Sequence, residues 1–454
     1  MKKRLISKIL AVVVTVSMLS GCGSATKQGD ANKATKVDGK PVTITFWHGM
    51  GGNLGVALNK LVKDFNASQK DIIVTAQFQG DYDAALNKLK SSQVSNSGPD
   101  VMQCYDIGTK FMIDSKAVVP VQNFIDNEKY DISSLEPNLL AYYTVDKKLN
   151  SMPFNSSTPI LYYNKTAFKQ AGLDPSTPPK SLTEVESMSK KLLKKDASGK
   201  VTQYGYSMPI YAWLFEQFMI KQGQSYANNG NGRTGDATTV EYNKNGGGLT
   251  LLNEWKKLVD SGSVGNFGRK TADTQNAFMA GNTAMYLDST ASLSAVLAGV
   301  NGKFEVGTGF LPKVSDSDKG GVSIGGASLW IMDNKDTIKQ QAAWKFLKFM
   351  VSPEEQAYWN ANTGYFPVNK KAYELKAVKD NLAKYPQFQT AIDQLHASTP
   401  DSRGALLGVF PESRAAVETN IEAMLGGQQS PQQALDKAAK ISNSAIDKYN
   451  RTNK

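Results

Sequence analysis

The residue types able to do covalent chemistry are few and scattered in this chain. It has two cysteines, Cys22 and Cys104, and two histidines, His48 and His396. Two isolated histidines and so few thiols do not assemble a zinc site. The sequence holds no H-E-x-x-H, G-x-S-x-G, Walker A or paired-cysteine motif. His48 follows a Trp and has no evident nucleophile beside it. Counting carboxylates does not dismiss a glycosidase pair, but nothing nominates two of them. Residues 230–235 (GNGRTG) match G-x-G-x-x-G in the wrong context. Polar residues precede them where a buried strand is needed, and no helix opens after Gly235. Residues 49–55 (GMGGNLG) are better placed, between a strand and a helix. They read either as a tight turn or as helix N-terminal amides that face a cleft and hold an anion. What stands out is chemistry of binding rather than of bond breaking. Segments 154–159 (FNSSTP), 288–290 (DST) and 325–328 (GGAS) are small, polar and glycine-containing. Each can bring hydroxyls or bare backbone amides up to a ligand.

The other chemically distinctive residue is Cys22. Lys2, Lys3, Arg4 and Lys8 precede an apolar stretch of 11 residues, 9–19, and then Ser20-Gly21-Cys22. A helix needs about 20 residues to span the hydrocarbon layer, so this stretch has the length of a secretory signal. The Leu-Ser-Gly-Cys segment resembles a bacterial lipoprotein signal, cut before Cys22 so that the thiol carries diacylglycerol. Residues 1–21 are therefore expected to be removed and the mature chain to be tethered by lipid.

These candidates need elements to position them. Removing 21 of 454 residues leaves 433, enough for two to three domains. Taking four basic residues from the formal +11 leaves +7. The basic residues are scattered rather than blocked, which excludes a nucleic-acid binder. The Lys190, Lys191, Lys194, Lys195 run reads as one solvated helix face. Only Cys104 accompanies the lipidated Cys22, so core burial rather than a disulfide must hold the fold. Residues 22–40 are polar and read as a flexible tether. Strand candidates 43–47, 72–78 and 100–105 alternate with helices at 54–65 and 84–89, the first with Leu54, Ala57, Leu58, Leu61 and Phe65 at helical spacing. Strand–helix alternation implies right-handed crossovers and largely parallel sheets. Ser181 to Glu184 and Ser352 to Glu355 read as capping boxes, with Pro353 at the first helical position. Ser430-Pro431 opens a last helix whose inner face includes Leu435, Ala438 and Ile446. Residues 228–248 are Gly- and Asn-rich and read as a surface loop.

Trp47-His48, residues 153–164 (PFNSSTPILYYN), 325–332 (GGASLWIM) and 363–365 (TGY) resemble the sn-glycerol-3-phosphate-binding proteins of Ugp-type ABC importers; residues 408–414 (GVFPESR) fit less tightly. These belong to the family 1 extracellular solute-binding proteins, related to maltose-binding protein. The likeness runs from about Thr43 to about Leu435. It implies an α/β chain with the two-lobed type II periplasmic-binding-protein fold. Mixed, mostly parallel sheets would be flanked by helices, with the ligand cleft between lobes that close by hinge motion. The expected lobes are 41–153 plus 320–363 and 154–319 plus 364–454. The resemblance also implies no catalysis, no cofactor or metal, a monomer, and permease and ATPase subunits as partners.

Carried over residue by residue, the resemblance implies a site of Tyr82, Asp106, Ser157, Trp213, Ser289, Gly326, Tyr365 and Arg414. The chemistry suits a polyol phosphate or phosphodiester. Arg414 is expected to meet the phosphate bidentately, with Ser157, Ser289 and Tyr365 as neutral donors and Gly326 allowing a close amide. Asp106 stands where the family has Glu and suits a glycerol hydroxyl. Where the family has a Trp-x-x-Trp pair, Trp213 keeps the second indole and Ile210 replaces the first. Ile210 is thus expected to make room for a head group, as in glycerophosphocholine, with Trp213 or a nearby Tyr receiving a quaternary ammonium. An oligosaccharide binder on the same scaffold and a secreted hydrolase are the alternatives.

Overall fold

The alternating apolar residues of 40–48 and 72–78 place these two strands side by side, with the helix Gly52–Ser68 crossing between them. Its stripe of Ala57, Leu58, Leu61, Val62 and Phe65 is buried against the sheet. Phe65 meets Phe346 edge-on at 5.1 Å, and Phe346 meets Phe46 at 5.4 Å. This computed structural model describes residues 36–37, 39–95 and 97–453. The signal segment and Cys22 lie outside the described residues. The expected tether ends earlier than residue 40, because Lys36–Val37 already pair antiparallel with Lys40 and Pro41.

Two sheets organise the chain. The first joins Lys36–Val37, Lys40–His48, Ile72–Phe78, Val101–Tyr105, Val118–Val119, Met152–Ser157 and Gly325–Met332. The second joins Pro159–Asn164, Tyr206–Ser207, Val264–Gly265, Met285–Ser289 and Val306–Phe310. The expectation of mostly parallel sheets holds only for strands linked by a helical crossover. Lys40–His48 is parallel to both Ile72–Phe78 and Val101–Tyr105. Gly325–Met332, arriving from far along the chain, is antiparallel to all three of its neighbours. Pro159–Asn164 is likewise antiparallel to both of its own.

The chain leaves the first sheet at Thr158, a few residues later than the expected 153/154 boundary, since Met152–Ser157 still pairs with Gly325–Met332. The crossings are stitched together. Thr290 N–H donates to Thr158 O at 2.9 Å, and Leu311 N–H donates to Gln394 Oε1 at 2.7 Å. Gln394 Nε2 bonds both Thr158 Oγ1 and Pro159 O. Gly364, with φ 122°, passes so close that a Cβ there would meet Thr290 O at 2.5 Å. Residues beyond 364 do not fall wholly to the second half as expected: Tyr365, Phe366, Val368, Ala391, Ile392 and Leu395 pack with the core of the first sheet.

Local readings differ in detail. Ser181 Oγ accepts from Glu184 N–H, but Glu184 answers Lys180 N–H rather than Ser181. Ser352 makes no side-chain cap, and Pro353 alone sets the helix start. Ser430 forms a full capping box with Gln433, and Leu435, Ala438 and Ile446 are buried as expected. The helix carrying Lys190 ends at Leu192, so Lys194–Lys195 lie in a short strand instead. Residues 228–248 are not simply a surface loop. Val240 and Tyr242 are fully buried, and the side chain of Asn231 accepts from Tyr226 and Ala227 N–H.

His48 is buried between Phe46 and Phe78, with Nδ1 accepting from Met50 N–H at 3.3 Å. Burial lowers its pKa to about 4. At His48 the folded state holds fewer protons than the unfolded state between pH 6.5 and about 4. This residue's own contribution to stability therefore falls as pH drops through that window, by up to about 3 kcal/mol, while the raised Glu216 and Asp288 act in the opposite sense. Urea unfolding across this range should show the wild type losing stability relative to His48→Gln as pH falls.

Candidate functional site

The two sheets face each other across a cavity of about 660 Å³. Tyr82, Asp106, Ser157, Trp213, Ser289, Gly326, Tyr365 and Arg414 all line it, although they come from eight separate segments. Tyr82 begins the helix Tyr82–Ser95, and its hydroxyl accepts from Asn155 Nδ2 at 2.8 Å. Tyr365 lies parallel to Trp359 at 5.7 Å and interacts with Tyr82. Ser157 and Ser289 end the strands Met152–Ser157 and Met285–Ser289. Ser289 Oγ also caps the following turn by accepting from Ala291 N–H. Gly326 has φ 93°, and a Cβ there would run into Asn155 O, so no other residue fits this approach.

Trp213 is 3% exposed, and its Nε1–H has no partner. Gly325 lacks a Cβ where this indole edge lies: a Cβ would sit 2.9 Å from Nε1. The indole lines the cavity, while its Nε1 atom is itself buried out of a ligand's reach.

Arg414 is held differently from expectation. Its Nε and Nη2 bond both carboxylate oxygens of Glu216 at 2.7 and 2.8 Å, and Nη2 also reaches Asp106 Oδ2 at 3.3 Å. The bidentate edge meant for phosphate is thus taken by Glu216, and Nη1 is the nitrogen not engaged in these bonds. The guanidinium also lies over the rings of Phe410 and Tyr211, at 5.5 and 5.9 Å. Burial pushes the Glu216 carboxyl up to about 7 against the pull of Arg414, and burial raises Asp106 in the same way. Burial opposes the charge on Arg414, but the two carboxylates more than offset it and hold its pKa above the ordinary value.

Ile210 is not on the cavity wall. It is 1% exposed, its N–H donates to Gly268 O, and the adjacent Tyr211 lines the cleft instead. The 49–55 turn does not line it either: Gly49 N–H donates to Gln103 Oε1 and Gly55 N–H to Gly51 O. Residues 229–231 are left-handed, which makes no phosphate cradle of 230–235. Reading by motif missed Glu216, Asp83, Tyr105, Tyr211, Arg269, Lys270 and Glu418. Glu216 left one signal, since it is the single acid in the apolar helix Ala212–Lys221 and a buried carboxylate needs a partner. Asp288 is buried behind Ser289, and burial pushes it up to about 6. Among the described residues, no group of three or more His, Cys, Asp or Glu could hold a metal.

Residues 60–390 match the model of the bacterial extracellular solute-binding protein family. The chain belongs to that family. This solute-binding protein is 35% identical over 423 residues to the sn-glycerol-3-phosphate-binding periplasmic protein UgpB of Shigella flexneri, covering 91% of this chain and 94% of the relative. It is 36% identical over 422 residues to the protein of that name in Yersinia enterocolitica, covering 90% and 94%. Its fold superposes on the solved UgpB from Mycobacterium tuberculosis, a complex with glycerophosphocholine, with TM-score 0.76 at 23% identity, covering 90% and 99% of the two chains. The sugar-binding protein MalE from Xanthomonas citri gives 0.72 at 21%, covering 90% and 99%. The fold is thus the two-lobed type II architecture.

Arg414 fixes the electrostatics of the whole cleft. Arg414→Met leaves Glu216 and Asp106 buried without their cation, which should cost about 3–5 kcal/mol in denaturant unfolding. Adding Glu216→Met to that variant should recover most of the loss, because it removes one of the orphaned charges.

Proposed function

We propose that this solute-binding protein captures glycerol-3-phosphate or glycerophosphodiesters for an ABC importer and catalyses no reaction. The observation that carries the proposal is the meeting in one cavity of all eight residues transferred from the glycerol-phosphate-binding resemblance. The curated relatives, named for sn-glycerol-3-phosphate, support it over nearly the full chain. The chemistry agrees with it. Phosphate oxygens are strong acceptors, and the hydroxyls of Ser157, Ser289 and Tyr365 are donors on the cavity wall. The free Nη1 end of Arg414 adds a charge-assisted contact without disturbing Glu216. Asp106 repels phosphate and fits a glycerol hydroxyl. Because Ile210 lies behind the wall, Tyr211 rather than Ile210 borders any head group.

Five aromatic residues on the wall, Tyr82, Tyr105, Tyr211, Trp213 and Tyr365, are what favours the second reading, an oligosaccharide binder. Titration calorimetry with glycerol-3-phosphate, glycerophosphocholine and maltotriose separates the two. At least one glycerol ligand should bind and maltotriose should not, with no choline released on prolonged incubation. Ser157→Val should weaken the bound glycerol ligand by about tenfold or more, as for loss of a hydrogen bond to a charged group. Maltotriose binding without glycerol-phosphate binding would overturn the assignment.

The mature protein then sits, as a monomer, on the outer face of the cell membrane, anchored through Cys22. Its ligand-closed form would be the one presented to two permease subunits and their ATPase. Among the described residues no helix is long and apolar enough to cross a membrane; in this reading the lipid on Cys22 supplies the membrane association. Cys22→Ala should leave the protein in the soluble fraction after cell fractionation, whereas the wild type sediments with membranes.

A further inference from the structure

Two acids share one buried cation at the floor of the cavity. Arg414 gives its Nε–H and Nη2–H to both oxygens of Glu216, and Nη2 also reaches Asp106 Oδ2 at 3.3 Å. All three side chains are buried, and Asp106 arrives on the short turn Asp106–Gly108 at the end of the first sheet. With both acids ionised, the triad holds one net negative charge before any ligand enters. An anion meeting Arg414 Nη1 is then the third negative group around one guanidinium.

The surrounding elements bring no second cation into contact with Glu216. Phe410–Leu425 adds a further acid, Glu418, which accepts from Ala212 N–H at 2.9 Å, and Asp83 of Tyr82–Ser95 repels Glu418 in turn. Tyr142, Tyr211 and Tyr226 approach from three other segments, and burial raises all three phenols, so they stay neutral. Arg269 is held by Glu422 at 2.5 Å. Arg233 lies over Tyr142 at 4.9 Å and donates to Gly404 O and Tyr142 O. Lys270 is exposed at the cavity rim. A buried surplus of negative charge is relieved by protonating an acid. Burial already brings the Glu216 carboxyl up to about 7, and an anion at Nη1 would weaken the hold of Arg414 and raise it further.

We infer that this protein takes up a proton together with its anionic ligand, and that Glu216, sharing Arg414 with Asp106, receives that proton from solvent. The inference rests on the glycerol-phosphate reading above and adds a linkage to it. Ligand-free Glu216 titrates near neutrality and ligand-bound Glu216 at higher pH. Below the first value both states hold the proton, and affinity is at its plateau. Between the two values only the bound state holds it, so affinity falls as pH rises above about 7.

The test is titration calorimetry of the mature chain with glycerophosphocholine and glycerol-3-phosphate, at about pH 7, 8 and 9 in buffers of different ionisation heat. The diester keeps one phosphate charge across this window and the monoester two, since the second phosphate pKa is about 6. Binding should take up about half a proton or more near pH 8, and affinity should fall about tenfold or more from pH 7 to pH 9. Glu216→Gln imitates the protonated acid and keeps one oxygen for Arg414. Its affinity should be flat across the window and about tenfold tighter than the wild type's at pH 9. A purely structural role would instead weaken binding at every pH, which would overturn the assignment to Glu216. If Glu216→Gln does not fold, proton uptake must persist in both Glu418→Gln and Asp288→Asn, and its loss in either overturns that assignment. Binding by the wild type without proton uptake overturns the linkage and leaves the glycerol-phosphate function standing. Binding of neither ligand at any pH overturns that function and the linkage together.

Discussion

Arg414 is the residue on which the cleft depends. It is 7% exposed, and a cation so far from water is tolerable only with acids in contact. Glu216 supplies both oxygens from the same side of the cleft, and Asp106 supplies one from the other side. The helix Phe410–Leu425 is thereby tied to the strand end at Val101–Tyr105. The ion triad fixes the floor of the cavity, dictates which guanidinium nitrogen remains for a ligand, and sets the sign of the field any solute meets. The cavity wall therefore offers neutral donors and aromatic faces, with the strongest charge already committed.

The second constraint is the narrow waist at the crossings. Thr158, Thr290, Gly364 and Gln394 are bonded or pressed together where the chain changes sheets. Their hydrogen bonds run between backbone groups and short side chains, so the waist is stiff in register. Ser157, Ser289 and Tyr365 are each next in sequence to one of these residues, and Gly326 pairs with Ser156 beside them. A ligand touching these four therefore touches the joint itself, which is how contacts of about 1 kcal/mol each can bias a rotation of whole lobes.

Much of this was legible in the sequence, because period and punctuation are local properties. The strand at 72–78 and the buried stripes of 52–68 and 431–452 follow from apolar spacing alone. What was not legible is non-local. Nothing at Gly325–Met332 says that it becomes a central antiparallel strand, since its partners lie more than 160 residues upstream. The Gly- and Asn-rich composition of 228–248 hid Val240 and Tyr242, which are buried by elements from elsewhere. At the site, residue types could be carried over but not their committed partners. Arg414 looked free because Glu216 lies 198 positions away. Ile210 looked exposed to ligand because one step along a chain decides which side chain faces the cavity, and here it is Tyr211.

The late arrival of Gly325–Met332 also governs how the chain can be made. A polypeptide emerging N-terminus first presents Val101–Tyr105, Val118–Val119 and Met152–Ser157 long before the strand that joins all three. Until about residue 332 is out, those strands have unpaired edges, the pattern that invites pairing with other chains. Low-order contacts form early and this one forms last, so the first half of the molecule cannot mature ahead of the second. The fold thus ripens as one unit despite its two sheets, and holdase chaperones that cover open strands would matter most during the synthesis of the middle third.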